Sequence, residues 1–427
     1  MSNPRVGSGG QIADDVLREV FARLPDVQDL LRCAVTCWRW RRLITDPAEN
    51  SRRPSMLAGI FTQNIWLDRD KVEPLKGKPR SPPKFLSLQA GSAHANLTSF
   101  VADDDGLFND ARPLASRRGF LLLGIMLPAN TDHRHKLRLA VCRPLIDNRT
   151  HLLPSPPIDL PGISDSPTGW AILTSADHTA LKYQGWQVLV TYRGYGVVFA
   201  YMYYPAIRSW SVPIKYQRDL TRCGPGAGVV ARGVVHWLYR DYTELYTLNI
   251  SATMKQVSLT KIPIKIDAGL PYQRPPLLCI TGEGTLLLFN TQDDGVPELW
   301  TKQKQDDRDH HIGEGEGHWL HSYLANLRTE RPDIAFFAES KGALLIEQGG
   351  ALFIFDLKSR EKVRVTLKCD EIDQAIRWFP ANYCSCSFCD GHQYGRICQE
   401  TPPVLYEMDW VFVRRMLLTS RADANID

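Results

Sequence analysis

The 427-residue chain has one place where metal-binding side chains crowd together. The segment NYCSCSFCDGHQYGRIC holds Cys384, Cys386, Cys389, His392 and Cys398, and thiolate sulfur with imidazole nitrogen is the ligand set that zinc prefers. Cys386-x-x-Cys389 has the spacing of a first ligand pair. The second pair is missing: eight residues separate Cys389 from Cys398, whereas structural sites usually hold their two pairs more than about ten apart. The segment reads either as a zinc loop or as a loop of reduced thiols, and the expectation is no metal and no cofactor. His310, His311, His318 and His321 lie in the charged, glycine-bearing stretch KQKQDDRDHHIGEGEGHWLHSY, where solvated histidines are expected. Asp103, Asp104 and Asp105, and Asp306 with Asp307, are paired carboxylates, but nothing in the sequence sets them about 5 to 10 Å apart across a cleft as glycoside hydrolysis requires. They read as turn acids. Gly282, Gly284, Gly349 and Gly350 fall at hairpin turns, not in the strand-to-helix loop that cradles phosphate. A Gly-x-Ser-x-Gly elbow and a kinase signature are both lacking. The expectation is a chain without catalytic residues, one that binds rather than transforms.

Composition narrows the partners. Hydrophobic residues make up 44% and charged residues 23% of the chain, which is ordinary for a soluble globular protein. A net charge of +4 is too small to imply nucleic acid or an anionic membrane surface. The start, MSNPRVGSGGQ, has no apolar core of a secretory signal and reads as a disordered leader over 1–11. The longest apolar run, Phe120 to Leu127, falls short of the roughly 18 to 20 residues of a membrane span. Ten cysteines scattered from Cys33 to Cys398 show no disulfide framework and are expected to be reduced. Cytoplasm or nucleus is the expected location.

Two kinds of element carry this chain. Over IADDVLREVFARLPDVQDLLRCAVTCWRWRRLITDP, residues 12–47, apolar residues recur at helical spacing. Val16, Leu17, Val20, Phe21 and Leu24 mark a first helix that Asp14 or Asp15 can cap. Pro25 breaks it, and Asp26 can cap a second helix with Leu30, Leu31, Ala34 and Val35. A third carries Trp40, Leu43 and Ile44 before Asp46-Pro47. Three short helices in so few residues cannot bury much of their own apolar surface. Something else must cover it. A generic helical cap and a helix-turn-helix fit the same pattern, the latter resting only on Arg39, Arg41 and Arg42.

The residues also resemble the F-box, whose usual form is Leu-Pro-x-x-x-Leu-x-x-(Ile/Val)-Phe-x-x-Leu-Pro, then Leu-x-x-Cys, then Val-Cys-Lys-x-Trp-x-x-Leu-Ile. Leu17, Val20, Phe21, Leu24, Pro25, Leu30, Cys33, Cys37, Trp40, Leu43 and Ile44 match. Ile12-Ala13 stand where the family has Leu-Pro, Thr36 where Val is common, and Trp38 where Lys or Arg is usual. The resemblance implies docking on a Skp-type adaptor subunit, and through it on a cullin, by Ile12, Val16, Leu17, Val20, Phe21, Leu24, Pro25, Leu30, Leu31, Trp40, Leu43 and Ile44.

After a helical domain over 12–50 and a linker with first strands over 51–84, residues 85–420 repeat a β-rich theme, and 421–427 form a tail. The copies span 120–157, 186–213, 228–263, 276–300 and 342–367, starting roughly 40 to 65 residues apart, the size of a four-stranded propeller blade. Each blade is apolar on both faces and covers them by stacking on its neighbours. A β-sandwich fits the same strand spacing. In a closed fold, residues near Ile60 or Phe85 are expected to pair with the last strand around Val404 to Val413. Most of the 11 Trp and 15 Tyr are assigned to blade packing, and those on loops at one mouth of the ring to recognition.

The segments RRPSMLAGIF, DDDGLFNDARPLASRRGFLLL, TGWAILTSADH, HWLYRDYTELYTLNISATMKQVSLTKIP and VLYEMDW are similar to the propeller-like domain that accompanies the F-box in a large family of plant proteins, especially of grasses. The fold class expected is a small all-α F-box of three helices followed by a large all-β, propeller-type domain. The resemblance implies a non-catalytic substrate adaptor of a Skp–cullin–F-box ubiquitin ligase, with an unknown protein as substrate. The alternative is a propeller scaffold whose diverged F-box no longer docks, and an enzyme built on a propeller is a third reading.

Overall fold

A computed structural model describes residues 12–24, 30, 33, 34 and 36–44, then 56–62, 83–87 and 108, most strands and short turns between 111 and 365, and 404–408. The chain divides into two compact units, Met1–Met56 with Gly91–Ala93 and Met408–Asp427, and Leu57–Ala90 with His94–Glu407.

In the first unit, helix α1 spans Asp14–Arg23 and helix α2 spans Trp38–Ile44. The expected helix between them lies largely outside the described residues, although Leu30, Cys33, Ala34 and Thr36 are helical. The cap of α1 differs from expectation. Ala13 takes the N-cap position with extended backbone and no side-chain bond, and Asp14 and Asp15 sit inside the first turn, where their charge opposes the helix dipole favourably.

The second unit contains five sheets of four or more strands, taken in chain order. Blade 1 is β3 (Ala111–Arg117), β4 (Phe120–Met126), β5 (Leu137–Arg143) and β6 (Asp147–Leu152). Blade 2 is β7 (Gly169–Thr174), β8 (Trp186–Gly194) and β9 (Val197–Tyr204), with β10 (Ser209–Trp210) and β11 (Ile214–Gln217) both on β9. In blade 3, β12 (Thr221–Arg222) and β13 (Val229–Ala231) share the edge of β14 (Val234–Asp241), followed by β15 (Glu244–Ser251) and β16 (Val257–Lys265). Blade 4 is β17 (Leu277–Ile280), β18 (Leu286–Thr291), β19 (Pro297–Lys302) and β21 (Trp319–Tyr323). Its intervening β20 (Gly315–Glu316) crosses to pair in parallel with β16 of blade 3, covering part of an outer edge. Blade 5 is β22 (Asp333–Ala338), β23 (Ala343–Gln348), β24 (Ala351–Asp356) and β25 (Lys362–Arg364). Finally, β1 (Met56–Thr62) pairs with β2 (Lys84–Ser87) on one side and β26 (Val404–Met408) on the other. The two ends of the β-rich region thus share a sheet, as the sequence predicts, and β1 and β2 straddle the expected boundary at 84–85.

Burial on both faces separates this arrangement from a sandwich. Side chains alternate along a strand, so a sandwich strand buries one set and exposes the other. On β14, Val235, Trp237 and Tyr239 pack with Ala171, Leu189 and Met202 of blade 2, while Leu238 packs with Leu278, Leu286 and Leu288 of blade 4. On β18, Leu286 and Leu288 face blade 3, and Leu287 and Phe289 join Leu344, Ile346 and Phe355 of blade 5. Blades 2 and 3 also touch through backbone: Trp170 of β7 makes a parallel bridge to Ala227, just before β13, with N–H donation from Trp170 to the Gly226 carbonyl at 2.9 Å and from Gly228 to the Trp170 carbonyl at 2.8 Å. Glycine is required at 226, because a Cβ there would come within 2.4 Å of the Trp170 ring.

Blades 1 and 2 are pinned by ions as well. Arg117 and Asp177 form a bidentate pair whose side chains are 6% and 5% exposed. Burial alone would raise the Asp177 carboxyl, but the Arg117 guanidinium, the Thr174 N–H and nearby Arg118 outweigh it and hold the group below its ordinary range. Each of the five sequence copies falls in one blade. In blades 1, 2 and 5, however, the copy begins at the second strand and misses β3, β7 and β22.

Candidate docking site

The helical unit presents two faces that the sequence pattern alone does not separate. Along α1, Leu17 and Phe21 are buried, at 4% and 2% exposure. Val16 and Val20, one position earlier in each turn, are 53% and 49% exposed. Residues four apart lie one above the other on a helix, so the buried and the open apolar pairs form adjacent stripes. Ile12, just before the helix, extends the open stripe at 56% exposure.

The twelve expected docking residues therefore fall into distinct environments. Leu17, Phe21, Leu30, Leu43 and Ile44 are buried, Ile12, Val16 and Val20 are exposed, and Leu24 and Trp40 are half-buried. Pro25 and Leu31 lie outside the described residues. The Phe21 and Trp40 rings meet edge to face with centroids 5.4 Å apart, which ties α2 to the buried side of α1.

The arginine run closes the unit on itself. Arg39 Nε donates to Asp14 Oδ1 at 2.8 Å, and Arg42 Nη2 donates to Asp14 Oδ2 at 3.1 Å. Arg39 also donates to the Ile12 carbonyl, and Arg41 Nε to the Ala34 carbonyl at 3.2 Å. The hydrogen bond from Arg39, with the charges of Arg39, Arg42 and Arg18, holds the Asp14 carboxyl below the usual carboxylate range. These three arginines have partners within the unit, which removes the only argument for a DNA-binding helix-turn-helix. An acid in the first turn of one helix and arginines on another are the local signal of this clamp, but only the fold brings them together.

Elsewhere the candidate chemistry resolves differently. Cys384, Cys386, Cys389, His392 and Cys398, the two Asp clusters, and His310, His311 and His318 lie outside the described residues, as do Gly282, Gly349 and Gly350. Gly284 sits at a turn with φ +78. His321, expected to be solvated in a loop, instead belongs to β21. Its Nε2 is 3.2 Å from Glu298 Oε1, and its ring lies 4.5 Å from both Trp300 and Tyr323. Strand register brings these four together across blade 4. Among the described residues no group of three or more His, Cys, Asp or Glu is arranged to hold a metal. Cys223 is pushed up to about 12 by burial, so its thiol stays protonated at neutral pH and is a poor nucleophile. Burial pulls His236 down to about 4, against a hydrogen bond with Asn249 and with the help of the Lys302 charge; its ring contact with Asn249 is 2.7 Å.

A comparison with protein families matches residues 14–56 to the F-box-like family. No curated protein matches the chain. Among solved structures, the Dos1 propeller is 12% identical, with 60% of each chain covered and a TM-score of 0.33. TolB from Acinetobacter baumannii is 12% identical over 58% of this chain and 53% of its own, with a TM-score of 0.34. The WD40 domain of SCAP from fission yeast is 13% identical over 60% and 56%, with a TM-score of 0.33. The chain thus spans less than two thirds of each, and likeness at this level adds nothing to a fold that stands on its own sheet topology. The helices and the sheets together make this chain one with an N-terminal F-box-like domain followed by a five-bladed, β-propeller-like unit.

Proposed function

We propose that this protein is a substrate-recognition adaptor of a Skp–cullin–F-box ubiquitin ligase, of the plant type that the sequence resembles. The carrying observation is the open apolar stripe of Ile12, Val16 and Val20 on an F-box-like helix whose adjacent stripe, Leu17 and Phe21, is already buried. An exposed stripe beside a packed one is what a helix needs to join a partner without losing its own fold. The stripe would dock on a Skp-type subunit, and the propeller-like unit would hold the substrate protein. Catalysis would be by proximity: tethering raises the effective concentration of a substrate lysine near the charged ubiquitin carrier. The bond-making chemistry belongs to other subunits, and the protein acts in cytoplasm or nucleus.

Co-expression with a Skp-type subunit followed by affinity purification tests the reading. Stoichiometric co-purification of the full chain is the expected result. Failure to retain the subunit, with α1 still helical, would leave a propeller scaffold whose F-box does not dock, the reading to which Ala13 in place of Pro points.

A further inference from the structure

In every blade the turn joining the first two strands and the turn joining the last two emerge at the same end, because consecutive strands are antiparallel. Contacts between blades make these turns one surface. The Asp177 carbonyl lies so close to Gly233 that a Cβ there would approach within 2.6 Å, and Arg232 Cγ lies 3.5 Å from the Cβ position of Gly284. Lys358 Nζ is 3.6 Å from Glu283 Oε1.

Five non-glycine residues among those described have left-handed backbone, and all five sit in these turns: Arg118, Arg208, Arg232, Met254 and Arg360, with φ between 50 and 58. Asn, Asp and Gly are the residues that suit such a position. Four of the five are arginines instead, a local choice against backbone preference, and such outliers point to function.

Among the described residues of these turns, basic side chains outnumber exposed acids. Arg208, Arg232, Lys255, Lys358 and Arg360 are exposed and Arg118 is half-buried. Of the acids, Asp177 is consumed by Arg117, and Asp356 Oδ1 accepts the backbone N–H groups of Lys358 and Ser359 at 2.8 and 2.7 Å. Among the described residues of this end, Glu283 and Glu361 are the exposed acids that remain.

We propose that this face is a docking surface for an Asp/Glu-rich segment of a partner protein. Basic side chains held on tight turns at several points round the unit would read a stretch of negative charge through many weak, additive contacts, and would steer its approach. The proposal rests on the propeller-like unit being the recruiting unit, and it gives that unit a partner class.

The test uses the full chain and a fluorescein-labelled peptide in which Asp and Glu alternate with Ser and Gly, followed by anisotropy at low and at physiological salt. Binding is expected to weaken with salt. Arg208→Asn, Arg232→Asn and Arg360→Asn should each weaken it roughly two- to fivefold, and the triple variant more than tenfold. Because Asn suits left-handed backbone, the melting temperature should stay level or rise. A triple variant that binds like the wild type would overturn the proposal. So would melting temperatures that fall in step with binding, or a wild-type protein that takes a neutral peptide or a single-stranded oligonucleotide as tightly as the acidic peptide. No Skp-type subunit enters this assay, so its outcome is separate from that of the co-purification.

Discussion

Replacing Val16 and Val20 together with Ser separates docking from folding. Both residues are about half exposed, at 53% and 49%, so roughly half of the ~1.5 to 3 kcal/mol that full burial of a Val contributes is still available to a partner. For the pair this is about 2 kcal/mol, or on the order of 30-fold in affinity. The helix itself loses little. Ser and Val have similar helix propensity, and substitutions at exposed sites usually stay within about 0.5 kcal/mol. The contrast is Phe21→Ala, which empties a site 2% exposed and packed on Trp40; such truncations cost about 3 to 5 kcal/mol and would abolish docking by unfolding the unit. Titration calorimetry with a purified Skp-type subunit reads the affinity, and far-ultraviolet circular dichroism reads the helices. An affinity within twofold of the wild type for Val16→Ser/Val20→Ser would refute the assignment of this stripe as the docking surface.

Two further perturbations probe the propeller-like unit. His236 is held neutral between blades 3 and 4, its value drawn down from 6.5 to about 4. As pH falls below about 6.5 the unfolded chain takes up this proton first, so stability present above that pH is lost progressively toward pH 4, by about 3 kcal/mol for this one group. Urea unfolding at a series of pH values should show that slope, and His236→Gln should flatten it; parallel slopes would contradict the burial argument. Arg117→Ala should cost about 3 to 5 kcal/mol because it strands the Asp177 carboxylate in a site 5% exposed, whereas Arg117→Met with Asp177→Leu should cost much less. Denaturant midpoints compare them, and equal losses would mean that the pair acts through packing and not through charge.

Much of this was legible in the residues. The five β-rich copies each land in one blade because strands of Val, Ile, Leu and aromatic residues followed by turn residues are local signals. The copies left out the first strands of blades 1, 2 and 5, and also β11, β12 and β21. ARPLASR and GWAILT carry Pro or Gly and little alternation, because they are covered on several sides by neighbouring blades. The α1 pattern likewise located the helix, whereas which of its apolar residues are buried and which are open, Leu17 against Val16, is visible only in the packed unit.

The sequence by itself determined most elements and their order: a short helical motif with F-box spacing, then repeated β-rich units of blade size. It pointed to a propeller-type ring but admitted a sandwich, because both use short strands at the same spacing. Only the tertiary structure decided between them, since a strand such as β14 reveals that both of its faces are buried only once blades 2 and 4 are seen against it. The same holds for the docking helix and the basic turns. Periodicity identifies which residues are apolar or charged, but whether an apolar side chain is spent on its own core, or an arginine on an aspartate from another element, depends on neighbours distant in sequence. Arg39 and Arg42 are spent on Asp14, while Arg208 and Arg232 stand exposed on left-handed turns, and nothing local distinguishes them.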